Sequence, residues 1–106
     1  MRILLDQGTP VPLRDALRQH EVSTAFERGW SELTNGDLLD AAEHEGFAVF
    51  VTTDTKLKFQ QNLAGRRIAI VALLTTSWPR IERAVDEVVK AIAAATPGSC
   101  AEVSIP

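Results

Sequence analysis

Two short apolar runs in this chain stop at an aspartate: Ile3-Leu4-Leu5-Asp6 near the start, and Val49-Phe50-Val51-Thr52-Thr53-Asp54 near the middle. A run that is apolar at every position suits a strand covered on both faces. Such strands belong to parallel sheets flanked by helices, where ligands sit beyond the carboxyl ends of the strands, at the point where the strand order reverses. If the two runs are parallel neighbours, Asp6 and Asp54 emerge side by side on one rim. Two unpaired carboxylates there repel, and a cation between them is the natural complement. The plainer alternative is that each aspartate caps the loop or helix that follows it.

A third run, Ile68 to Leu74, is the most apolar in the chain and predicts an interior strand ending in Thr75-Thr76-Ser77. Glu21 to Ala25 reads as a weaker strand near a sheet edge, and Cys100 to Ile105 alternates enough to form a last edge strand. Helices are expected between them. Val11, Leu13, Ala16 and Leu17 give a short amphipathic helix over Val11 to Gln19. A second runs from Gly36 to Glu45, capped by Thr34 or Asn35 and ended by Gly46. A short one over Thr55 to Asn62 is anchored by Leu57 and Phe59. A long one is capped by Ser77 or Thr76, takes Pro79 in its first turn and reaches about Ala94, with Ile81, Ala84, Val85, Val88, Val89 and Ile92 as its buried stripe. Phe26 to Thr34 is an irregular connection with room for one helical turn. The order strand–helix repeats through the chain, which marks an α/β fold with a mainly parallel sheet.

A chain of 106 residues, 45% hydrophobic and 24% charged, is one domain with one proper core. No stretch approaches membrane-spanning length, and Met1 to Leu5 is too short for a signal peptide, so a cytoplasmic setting in a bacterium or archaeon is expected. The single cysteine, Cys100, excludes an internal disulfide and offers no zinc-ligand spacing.

The net charge of −3 argues against a generally adhesive nucleic-acid binder, but the charges are unevenly spread. From Asp15 to Asp54 there are nine acids and two bases; from Thr55 to Ile81 there are no acids and five bases, Lys56, Lys58, Arg66, Arg67 and Arg80. That pattern suits a basic lip beside an acidic pocket, or simply two solvated faces. Asp37 opens the second helix, whose amino end should share a rim with Asp6 and Asp54. It serves either the helix dipole or a cluster of three acids. Such a cluster suits Mg²⁺ or Mn²⁺, hard cations that take carboxylate and water ligands.

Three segments, in order, resemble the PIN-like family of small proteins known by the domain of unknown function 5615. They are Ile3-Leu4-Leu5-Asp6-Gln7-Gly8-Thr9-Pro10, Asn35-Gly36-Asp37-Leu38-Leu39-Asp40-Ala41-Ala42 and Phe50-Val51-Thr52-Thr53-Asp54, and the likeness runs over about residues 2 to 76. The resemblance implies a three-layer PIN-like α/β fold with a sheet of four to five strands. It also implies an Mg²⁺- or Mn²⁺-dependent ribonuclease whose catalytic and metal-holding residues are Asp6, Asp37 and Asp54. By the same analogy the chain is the toxin of a toxin–antitoxin pair, blocked by a small antitoxin protein. Two positions depart from the family pattern. Lys56 stands where a second acid often follows the last aspartate, and Gln7-Gly8 replaces the usual Glu-Asn.

On this reading Thr53 supports the site by hydrogen bonding, while Lys56, Lys58, Arg66 and Arg67 contact the RNA backbone. Trp30 and Trp78 are candidates to stack on bases or to anchor the core. Val103 and Ile105, if exposed, suit a homodimer or partner contact. Two other readings remain open. One is a catalytically degenerate PIN-like module that only binds. The other is a receiver-like domain with Asp54 as phosphoacceptor and Thr75 or Thr76 as its switch residue, although it lacks the paired acids and late lysine of receivers.

Overall fold

The computed structural model describes residues 1–57 and 63–106. Its strands are β1 (Arg2–Leu5), β2 (Glu21–Thr24), β3 (Val49–Thr52), β4 (Ala69–Leu73) and β5 (Cys100–Val103). Among these residues the helices are α1 (Leu13–Ala16), α2 (Asn35–His44), α3 (Trp78–Arg83) and α4 (Val85–Ala93). The five strands form one sheet in the order β2-β1-β3-β4-β5, and every neighbouring pair is parallel. The expected α/β class is observed, with β2 and β5 at the edges. No helix among the described residues is long and apolar enough to cross a membrane.

Alternation along the strands divides the core into two layers. Ile3, Leu5, Val49, Val51, Val71 and Leu73 pack with Leu13, Leu17, Ile81, Val88 and Ile92 on the side of α1, α3 and α4. Leu4, Phe50 and Ile70 pack with Leu38, Leu39 and Ala42 of α2, joined by Leu57. Strands β3 and β4 are buried at every position, as continuous apolar runs require when helices cover both faces. Each fully buried aliphatic or aromatic side chain there contributes about 1.5–3 kcal/mol.

Three expectations change. Helix α1 is one turn rather than two: it starts at Leu13, after Pro12, and ends at Ala16, with Leu17 already out of helical conformation (φ −111°, ψ 19°). The N–H groups of Leu13, Arg14 and Asp15 bond carbonyls three residues back, on Pro10, Val11 and Pro12. The long carboxyl-terminal helix is broken at Ala84 (φ −115°, ψ 21°), with no glycine or proline there to announce it. The break leaves Trp78, Ile81, Val85, Val88 and Ile92 all on one core. Finally, Val103 and Ile105 are buried in that same core (8% and 5% exposed), because β5 pairs with β4 beneath α4. They present no surface for a dimer. The short helix expected over residues 55–62 falls largely on residues outside the described ones.

Helix α2 is set at both ends by its sequence. The Thr34 hydroxyl accepts from Asp37 N at 3.4 Å, a cap whose removal typically costs about 1 kcal/mol. At the other end Gly46 takes φ 82°, and Phe47 N and Gly46 N bond the carbonyls of Ala42 and Glu43. This is the glycine-ended turn that stops a helix before a strand.

The far half of α2 is clipped to the loop before β4. Arg66 donates to Asp40 at 2.9 Å and also to Glu43, whose other oxygen accepts from Arg67 N at 2.8 Å. Burial pushes the Glu43 carboxyl up, but the bonds from Arg67 N and the Arg66 guanidinium outweigh it, and the net shift is below the ordinary 4.5. A carboxyl depressed on folding stabilises the fold above its unfolded pKa, and that stability is lost as pH falls through the folded value. Glu43→Gln should therefore unfold more easily than wild type near neutral pH, with the gap narrowing as pH drops below the ordinary glutamate range. Urea unfolding at stepped pH measures this; a gap independent of pH would contradict it.

Candidate functional site

The strand order reverses between β1 and β3: the chain leaves β1 for β2 on one side and returns to β3 on the other. Ligand sites of open parallel sheets lie outside the carboxyl ends at that point. Leu5 pairs with Val51, so Asp6 and Thr52 are the next residues out. They share a face with Leu4 and Phe50, the face covered by α2.

Thr52 is fully buried and joins the two acidic loops. Its hydroxyl donates to Asp6 Oδ2 at 2.7 Å and accepts from Asp54 N at 3.0 Å. Asp6 Oδ1 accepts from Gln7 N at 2.8 Å, and Asp54 Oδ1 accepts from Lys56 N at 2.9 Å. Asp54 Oδ2 receives the Asn35 side-chain amide at 3.4 Å, from the first residue of α2. Each aspartate therefore holds its own loop, and their positions are linked through one hydroxyl. The β1 loop is drawn in further by Val51 O, which accepts from Asp6 N and from the Thr9 hydroxyl. A Cβ at Gly8 would lie 3.1 Å from Thr53 Oγ1, so glycine permits this approach.

The expected site residues separate into groups. Asp6 and Asp54 are brought together on the carboxyl rim, half-buried, with Lys56 exposed beside them. Asp37 lies two residues beyond Asn35 at the same end of α2, exposed, with its N–H on the Thr34 cap. Among the described residues no group of three or more His, Cys, Asp or Glu is placed to hold a metal, so the triad of Asp6, Asp37 and Asp54 is not assembled. Arg66 and Arg67 precede β4 and so lie at the amino-terminal end of the sheet, away from the rim, with Arg66 bound to Asp40 and Glu43. Lys58 falls outside the described residues. The side chain of Thr53 makes no hydrogen bond within the described residues; the supporting role expected of it belongs to its neighbour.

Thr52 and Asn35 are thus the residues that sequence reasoning missed. Strand parity held the signal for Thr52, since position 52 alternates with Phe50 as Asp6 does with Leu4. Asn35 was considered only as a cap. The two tryptophans are packing residues: Trp78 lies against the α3–α4 core, and Trp30 meets Phe47 edge-on at 6.1 Å under the Arg28 guanidinium.

Two carboxylates on adjacent loops fit a divalent cation that keeps several waters, as Mg²⁺ does when one or two carboxylates and a phosphate complete its shell. Comparison with protein-family models, with curated proteins and with solved structures gives no match to this chain. The PIN-like resemblance therefore rests on the three sequence motifs.

Thr52→Val removes the donor to Asp6 and strips Asp54 N of its acceptor. It should cost about 1–3 kcal/mol in chemical denaturation, whereas Thr53→Val should stay within roughly 0.5 kcal/mol. Equal costs would show that the hydroxyl of Thr52 does not hold the two loops.

Proposed function

We propose that the chain is a divalent-metal-dependent nuclease acting on RNA, with Asp6 and Asp54 as the metal-holding pair. The observation that carries this reading is the coupling of two carboxylates through the buried Thr52 hydroxyl at the reversal of a parallel sheet. Asp6 and Asp54 offer the hard oxygen ligands that Mg²⁺ or Mn²⁺ takes. Thr52 fixes Asp6, and Asn35 with Lys56 N fixes Asp54, so the carboxylates need little reorganisation. A cation bound there supplies Lewis acidity, lowering the pKa of a coordinated water and offsetting charge on a scissile phosphate. The side chain of Lys56, exposed beside Asp54, is the cation of this rim suited to a phosphate oxygen. Asp37, exposed in the first turn of α2, is left outside the pair. The toxin role and an antitoxin partner follow from the family analogy alone.

One observation favours a second reading, a degenerate module that binds without cutting. Both carboxylates already accept main-chain N–H groups of their own loops, as structural turn residues do. The receiver reading has the strand order in its favour, since β2-β1-β3-β4-β5 is an order that receivers share. Against it, Asp6 has no second acid beside it, Thr75 Oγ1 accepts from Ser77 N, and Lys90 lies on α4 rather than after β5.

Single-turnover cleavage of a labelled RNA in Mg²⁺ or Mn²⁺ separates these. Losing several kcal/mol of charge stabilisation corresponds to a fall of roughly 10²-fold or more for Asp6→Asn. Equal residual cleavage by wild type and the variant would remove the catalytic assignment; folded protein that binds RNA without cutting it would favour the binding module.

A further inference from the structure

A cleft of about 390 Å³ opens on the same rim, on the β2 side of Asp6, lined by Asp6, Val11, Arg14, Thr24, Phe26 and Glu27 among others. Phe26 is 74% exposed and Val11 59%, the two most exposed large apolar side chains among the described residues. The turn that carries Phe26 is held by its own hydrogen bonds. Thr24 N donates to Glu27 Oε1 at 2.9 Å, and Glu27 N donates to Thr24 Oγ1 at 3.1 Å. This reciprocal pair is the capping box of a helical turn, and the turn is closed by Arg28 N on Thr24 O at 3.2 Å. Glu27 Oε1 also takes the Arg14 guanidinium, tying the turn to α1 and holding the Glu27 carboxyl below its ordinary value.

The charges of the cleft limit what enters it. Arg14 is already paired with Glu27, and Asp6 adds a second carboxylate to the lining. A phosphate is therefore repelled from the interior, while an uncharged flat group meets Phe26 and Val11. Asp6 belongs to both the cleft and the metal-holding pair. An occupant that reaches from one to the other carries an anion at one end and a planar apolar face at the other, as a nucleotide does. A volume of this size is in the range of small-ligand sites and is far too small to seat a protein surface.

We propose that this cleft seats an unpaired nucleobase stacked on Phe26. The inference rests on the proposed nuclease reading for the position of the phosphate. Stacking on an aromatic side chain requires a base free of its own helix, and every base offers a π-face.

The test measures binding and cleavage of a short single-stranded RNA and of the same strand in a duplex, by wild type, Phe26→Ala and Phe26→Trp, with circular dichroism of each variant. Phe26→Ala should weaken single-strand binding roughly tenfold or more, the usual effect of losing one base–aromatic stack. Phe26→Trp should restore it, and duplex should bind more weakly than single strand to wild type. Unchanged single-strand affinity in folded Phe26→Ala would overturn the base seat. If cleavage then still depended on Asp6, the nuclease reading would stand without it. Wild type that neither binds nor cuts single-stranded RNA would overturn both.

Discussion

Every strand runs the same way, and the chain crosses from one half of the sheet to the other between β1 and β3. At the carboxyl edge of that reversal the loops that follow β1 and β3 lie next to each other. The Thr52 hydroxyl joins them, giving its proton to Asp6 and taking one from Asp54 N. Because Thr52 is wholly buried, these bonds are made where water cannot replace them, and a missing partner is costly. The position of both carboxylates, and through Asn35 the seating of α2, depends on this arrangement.

The distribution of charge has a different meaning in three dimensions from the one it has along the chain. Among the described residues, the bases of the stretch that follows Asp54 do not gather over the acids, Lys56 excepted. Arg66 is occupied by Asp40 and Glu43 at the opposite end of α2, and Arg80 donates to the carbonyls of Ile105 and Pro106. Lys56 stays at the rim because it follows β3 directly. What surrounds Asp6 on its other side is apolar and aromatic, with one ion pair, Arg14 with Glu27, already closed. On the rim the side chain of Lys56 offers a place for an anion, and on the proposed reading a cation held by the aspartates would offer a second.

Much of the architecture was legible because it depends on local patterns. Continuous apolar runs mark β1, β3 and β4, and the Thr34 and Gly46 signals bracket α2 within a residue or two. The same runs place Asp6 and Asp54 on one rim. Four features were not legible, each for a physical reason. The break at Ala84 carries no glycine or proline and serves only the packing of two helix segments on one core. The burial of Val103 and Ile105 depends on a strand pairing made at the end of the chain. The separation of Arg66 and Arg67 from the acids is a matter of which end of a strand they precede, and a linear charge count is blind to that. Thr52 was hidden by its neighbour, since Thr53 and Thr52 are chemically alike and only strand parity tells them apart.

The central claim is that Asp6 and Asp54 act as one cation site. Mn²⁺ binding, followed by the electron paramagnetic resonance signal of the free ion, tests it without requiring any turnover. One bound Mn²⁺ in wild type, weakened at least roughly tenfold by either Asp6→Asn or Asp54→Asn and much less by Asp37→Asn, is the result expected when one or two carboxylates carry the ion. Mn²⁺ binding that is the same in wild type and in the folded Asp6→Asn, Asp54→Asn double variant would contradict it.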